Sequence, residues 1–142
     1  MSGIEEGRAT TVVAIVSSNY LLRLGLQKIV EDEKWIRLIG QSAHGTNLED
    51  ILSGEHPHIV ILDTEIENAV PDMIRTIKTA APEIKIILLA GFEEVDRTRQ
   101  AFTYGIDGLV LKIQPSPVLI ATIDYLACSG AAVMIPIGQE TS

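Results

Sequence analysis

Asp63 and Lys112 each close a short apolar run, HIVILD at 58–63 and GLVLK at 108–112, while two hydroxyls, Ser17 and Ser18, close a third, VVAIVSS at 12–18. An acid facing a lysine across a cleft can handle a charge-bearing group; the plainer reading is that Lys112 neutralises a half-buried Asp63 as a structural ion pair. Adjacent serines present hydroxyls that donate and accept hydrogen bonds. They are not read as nucleophiles, because no histidine is expected beside them to act as base. A fourth run, IKIILLA at 84–90, ends in Ala90 and brings no polar side chain to the group.

The elements that must position these residues follow from the spacing. Thr11–Val16 suits a strand and shows no polar–apolar alternation, the pattern of a parallel strand covered on both faces. A helix is predicted from Asn19, available as N-cap, to about Glu31, and a weaker edge strand over Trp35–Ser42. A short helix around Asn47–Leu52 stops at Ser53-Gly54, and strand 58–63 follows. Then come a helix from about Pro71 to Ala80, strand 84–90, a helix over 94–104 closed by Gly105, and strand 108–112. The last helix has Ser116 as N-cap, Pro117 in its first turn and Gly130 after its end. Strands alternating with helices in this way predict an α/β fold, a flavodoxin-like doubly wound five-stranded parallel sheet of order 2-1-3-4-5 with five helices. Ligands of such sheets bind beyond the carboxyl ends of the central strands, where Ser17, Ser18, Asp63, Ala90 and Lys112 all fall.

Composition narrows the function classes. The chain has 142 residues, 46% hydrophobic and 21% charged, which suits one folded domain and not a disordered chain. Residues 1–10 read as a flexible leader, 11–130 as the domain and 131–142 as a linker or C-terminal tail. No apolar run reaches the roughly 18 residues of a membrane span, and MSGIEEGRAT lacks an apolar signal core, so a cytoplasmic location is expected. A formal charge of −8, from 19 acids against 11 Lys and Arg, repels phosphate backbones and makes this chain alone a poor nucleic-acid binder. The single cysteine, Cys128, excludes an internal disulfide and is expected to be a packed small hydrophobe. HPH at 56–58 reads as a turn ahead of a strand and not as a metal pair, and His44 as an ordinary loop residue. A dinucleotide site is disfavoured because no glycine-rich turn follows the first strand.

VVAIVSSNYLLRLGL, PHIVILD, IKIILLAGF and YGIDGLVLKIQPSP together resemble the matching segments of response-regulator receiver domains, above all those of LuxR-type (NarL/FixJ-like) transcriptional regulators. The likeness spans roughly residues 11 to 130. It implies that Asp63 stands at the phosphoacceptor position and Lys112 at the family's lysine. It also exposes departures. Ser17 and Ser18 occupy the places of two acids that hold a divalent cation, Ala90 that of a Thr or Ser that bonds the phosphate, and Leu109 that of an aromatic switch residue.

Magnesium wants an octahedron of hard oxygens and sheds water reluctantly, so losing two carboxylates predicts weak or absent binding and no cofactor. Glu65 and Glu67, just beyond Asp63, are weak candidates for replacement ligands; solvated loop charges are the plainer reading. The expectation is an atypical, non-enzymatic receiver that signals by dimerisation or protein interaction without ordinary phosphorylation. The alternatives are a phosphorylatable Asp63 with an altered metal shell, and a small-ligand sensor. The last helix is short of charge, and Leu119, Ile120 and Ile123 are the expected dimer surface. The implied partners are a second copy and a histidine kinase or other regulatory protein. DNA is expected only through a C-terminal domain outside this chain, and no membrane contact is expected.

Overall fold

All six residues of β1 (Thr11–Val16) are buried, which is why its sequence does not alternate. Val13 and Ile15 point into one apolar cluster, Ala14 and Val16 into another on the opposite face. The computed structural model describes residues 9–42, 54–63, 70–91, 93, 101–129 and 133–134. Their elements are β1, α1 (Tyr20–Glu31), β2 (Ile36–Ser42), β3 (Ile59–Asp63), α2 (Val70–Ala80), β4 (Lys85–Ala90), α3 (Ala101–Tyr104), β5 (Gly108–Leu111), α4 (Ser116–Ser129) and β6 (Val133–Met134).

The strands form one sheet of order β2-β1-β3-β4-β5-β6 in which every pairing is parallel. The expected 2-1-3-4-5 series is present. It is extended by β6, which lies in the segment read as linker or tail and pairs Val133 and Met134 with Gly108 and Leu109. Two residues are too short a signal to read from sequence alone. Between β1 and β2 the register skips Ile39: Val13 faces Leu38 and Ala14 faces Gly40.

Helices cover both faces. Leu26 and Val30 of α1 and Leu119, Ile123 and Leu126 of α4 share a cluster with Val13, Ile15, Ile61 and Leu89. Met73, Ile74 and Ile77 of α2 share the other with Val16, Leu62, Leu88 and Leu109. Asn19 caps α1 as expected, its side chain accepting from the Leu22 N–H at 3.0 Å, and Lys28 stands in the last turn where a cation favours the helix dipole. Gly105 closes α3 at φ 117°, a region that L side chains rarely adopt, and the Ile106 N–H returns to the Ala101 carbonyl at 3.3 Å. The expected N-cap at Ser116 lies one residue too far along: α4 takes in Ser116, and its first turn opens with the Val118 N–H on the Pro115 carbonyl. The expected helix around Asn47–Leu52, most of the one over 94–104 and Gly130 lie outside the described residues.

Candidate functional site

Parallel pairing brings the ends of β1, β3, β4 and β5 to one edge. Asp63, the last residue of β3 and 1% exposed, is the charged group at its centre. A carboxylate this buried needs compensation. The Lys112 Nζ stands 2.7 Å from Asp63 Oδ1, and the Ser17 hydroxyl donates to Asp63 Oδ2 at 2.7 Å. Ser17 is itself fully buried, and its Oγ accepts the Asn19 N–H at 3.0 Å. The hydroxyl proton is thus directed to the carboxylate while its lone pair is used by the backbone. Through Asn19 the same chain of bonds reaches the first turn of α1.

Two positioning residues, Arg23 and Gln114, have no signal in the sequence beyond being polar near a strand end. Arg23 on α1 donates through Nη1 to the Ser17 carbonyl, and its guanidinium lies 5.7 Å from the Tyr20 ring centroid. This holds the β1–α1 turn against the helix. Gln114 accepts the Leu111 N–H at 2.8 Å through its side chain, while its own N–H donates to the Leu111 carbonyl at 3.0 Å, tightening the turn that carries Lys112. The Lys112 N–H donates to the Ala90 carbonyl at 2.8 Å, which ties the residue just past the end of β5 back to β4.

The expected pocket residues are brought together only in part. Asp63, Ser17 and Lys112 touch. Ser18 is exposed, so only one of the two hydroxyls is buried on the carboxylate. Ala90 is fully buried and Leu109 is 3% exposed, both within the cluster under α2. Glu65 and Glu67 lie outside the described residues.

The dimer surface drawn from α4 needs correction. Leu119 and Ile123 are 3% and 0% exposed and pack against the sheet, and Ile120 is half-buried at the edge of the same cluster. With few charges on the helix, apolar residues alone could not say which side met the sheet; the outward positions include Ala121, Tyr125, Ala127 and Cys128. Cys128 is accordingly exposed and not packed. HPH serves the fold: the His58 Nδ1 accepts the Val12 N–H at 2.9 Å while the His58 N–H donates to the Val12 carbonyl at 2.8 Å.

A model of the response regulator receiver domain matches residues 13–124. The chain belongs to the response regulator receiver family. This agrees with the LuxR-type resemblance and places it among receivers of two-component regulators related to transcriptional regulators. Among curated relatives, the transcriptional regulatory protein YesN of Bacillus subtilis is 26% identical over 104 residues, covering 72% of this chain and 28% of YesN. The response regulator VraR of Staphylococcus aureus is 25% identical over 107 residues, covering 72% of this chain and 50% of VraR. The chain therefore spans half or less of the length of these relatives. Among solved structures, the isolated RcsB receiver of Salmonella enterica serovar Typhimurium with a beryllofluoride phosphomimetic superimposes with TM-score 0.77 at 22% identity, over 89% of this chain and 94% of that one. A structure of two RcsB dimers on two parallel DNAs gives TM-score 0.79 at 22% identity, over 89% and 64%.

Receivers of this family use a divalent cation, which asks for several hard oxygens. Both oxygens of Asp63 already meet donors, a cation and a hydroxyl, and β1 is followed by hydroxyls where hard anionic oxygens are needed. Among the described residues no group of three or more His, Cys, Asp and Glu side chains gathers to hold a metal. Among them, too, no helix is long and apolar enough to cross a membrane.

Proposed function

We propose that this chain is an atypical, non-enzymatic and cytoplasmic receiver that works through protein contacts without magnesium-dependent phosphorylation. One observation carries the reading: the Ser17 hydroxyl donates to Asp63 from a place where the family has a carboxylate. A second carboxylate there would repel Asp63 unless a cation lay between them. A hydroxyl needs no cation, and with Lys112 on the other oxygen the pocket is electrically settled as it stands. Ala90 offers no hydroxyl to draw toward a phosphoryl group, and Leu109, held in the core, offers no ring to move. Output then depends on which surfaces meet a second copy, a kinase or another regulatory protein. DNA would be reached through a domain outside this chain, as the DNA-bound RcsB dimers suggest by analogy.

The test is titration of the chain with millimolar magnesium and then beryllofluoride, followed by amide shifts around Asp63 and Trp35 fluorescence. We expect no saturable change in the wild type. In a Ser17→Asp, Ser18→Asp double variant, thermal stability falls without magnesium and recovers with it. A magnesium-dependent beryllofluoride adduct on wild-type Asp63 would overturn the proposal in favour of a phosphorylatable receiver with a remodelled metal shell, Glu65 and Glu67 being its candidate ligands. A small molecule whose stabilising effect disappears in Asp63→Ala would instead establish a ligand sensor. Homodimerisation has a separate check. Self-association at micromolar concentration should weaken on Tyr125→Glu, since Tyr125 is 45% exposed on the outward side of α4.

A further inference from the structure

A groove of about 320 Å³ runs between the end of α1 and the start of α4, lined by Ile29, Asp32, Glu33, Ser116, Pro117, Ile120, Ala121 and Asp124. Ile29 and Ile120 are half-buried and rest on the core cluster, so they form an apolar floor. Around them stand three acids, Asp32, Glu33 and Asp124, and no Lys or Arg is among the lining residues. From this charge pattern we infer that the groove docks a basic amphipathic helix of a partner protein. An apolar side chain of that helix would sit between Ile29 and Ile120, and its Lys or Arg residues would reach the three carboxylates. A groove bounded by two helices suits a third helix laid along it, the mode in which apolar anchors recur at i, i+3 or i+4.

A second copy is the weaker occupant. A two-fold interface sets the same patch against itself, so three acids would meet three acids in a chain already carrying a charge of −8. Nucleic acid is opposed by the same charge. The inference stands apart from the reading of the Asp63 pocket, which lies beyond the strand ends and contributes no residue to this groove.

The experiment uses the full chain and a fluorescent synthetic helix of leucines and lysines, with lysines at i and i+4 beside the leucine stripe. Anisotropy is read at about 0.15 M salt, where exposed long-range attraction is largely screened. We expect saturable binding that weakens about tenfold or more in Asp32→Lys, Asp124→Lys, a change near the 1.4 kcal/mol that one decade represents. Ala121→Lys, on the exposed side of α4, should weaken it comparably without disturbing the core. Glu83→Lys, at the turn before β4, should stay within about twofold. Circular dichroism establishes that each variant is folded. Equal weakening by Glu83→Lys would overturn the proposal by showing diffuse charge attraction. So would amide shifts that leave Ile29, Ile120 and Ala121 unmoved, or a wild-type dimer that Ala121→Lys dissociates.

Discussion

Two lysine–aspartate pairs stand at opposite ends of the sheet, with similar separations and different company. At the amino ends of the strands, Lys78 Nζ lies 2.9 Å from Asp107 Oδ2, and at the carboxyl ends Lys112 Nζ lies 2.7 Å from Asp63 Oδ1. The first pair is woven into the backbone: Lys78 also donates to the Ile84 carbonyl at 2.7 Å, and Asp107 also accepts the Ile86 N–H at 2.9 Å. It fastens α2 to the starts of β4 and β5, and Asp107 keeps 14% of its side-chain surface exposed. In the second pair Asp63 is 1% exposed, and its other oxygen meets a side-chain hydroxyl from just past the end of β1. The amino-end pair completes secondary structure. The carboxyl-end pair closes a pocket where this kind of sheet otherwise takes ligands. Matching distances therefore conceal different dependence on the partner lysine.

Removing each lysine in turn tests this most strongly. Lys112→Met leaves a buried carboxylate without its cation, for which a loss of about 3–5 kcal/mol is usual. Lys78→Met leaves Asp107 with a backbone donor and some water, and about 1–2 kcal/mol is expected. Denaturant midpoints compare the two directly, and equal losses would erase the distinction. Adding Asp63→Asn to Lys112→Met should recover part of the loss, because the stranded charge disappears, so the two changes should fall short of additivity.

Ser17→Ala ranks next. It removes a charge-assisted hydrogen bond from Asp63 and an acceptor from the Asn19 N–H, for about 1.5–3 kcal/mol. The loss should show in the same midpoint, with faster hydrogen exchange at Asn19. If Ser17→Ala is neutral, the hydroxyl is not what closes the pocket.

Reading the two pairs from sequence was uneven for a physical reason. Asp63 and Lys112 end apolar strands in register, so the topology alone put them on one edge. The sequence puts both serines within reach of Asp63 but does not mark which one bonds it, because that depends on Ser17 being buried while Ser18 is exposed. Lys78 and Asp107 gave no signal: one sits in the last turn of an amphipathic helix and the other just before a strand, 29 residues apart. On α4 the periodicity was blurred by small and apolar residues on both sides, which is how Leu119 and Ile123 came to be placed outward. β6 was invisible because two residues carry no period.

A third pair separates contact from burial. Arg37 and Glu55 are joined by a hydrogen bond, yet 52% and 54% of their side chains remain exposed. The hydrogen bond from Arg37 lowers the Glu55 carboxyl from its ordinary value, against the opposing effect of desolvation, and Glu55 in turn raises the Arg37 guanidinium. A carboxyl lowered in the folded state stabilises above its unfolded pKa, and that contribution fades as pH falls through the folded value. For groups so exposed, water and salt absorb nearly all of it. Arg37→Ala should return Glu55 to the ordinary carboxylate range in a carbon-detected titration, while the denaturant midpoint at neutral pH stays within experimental scatter. A midpoint loss as large as that of Lys78→Met would mean that contact alone ranks these pairs, and the contrast between the two ends of the sheet would then owe nothing to how deeply each aspartate is buried.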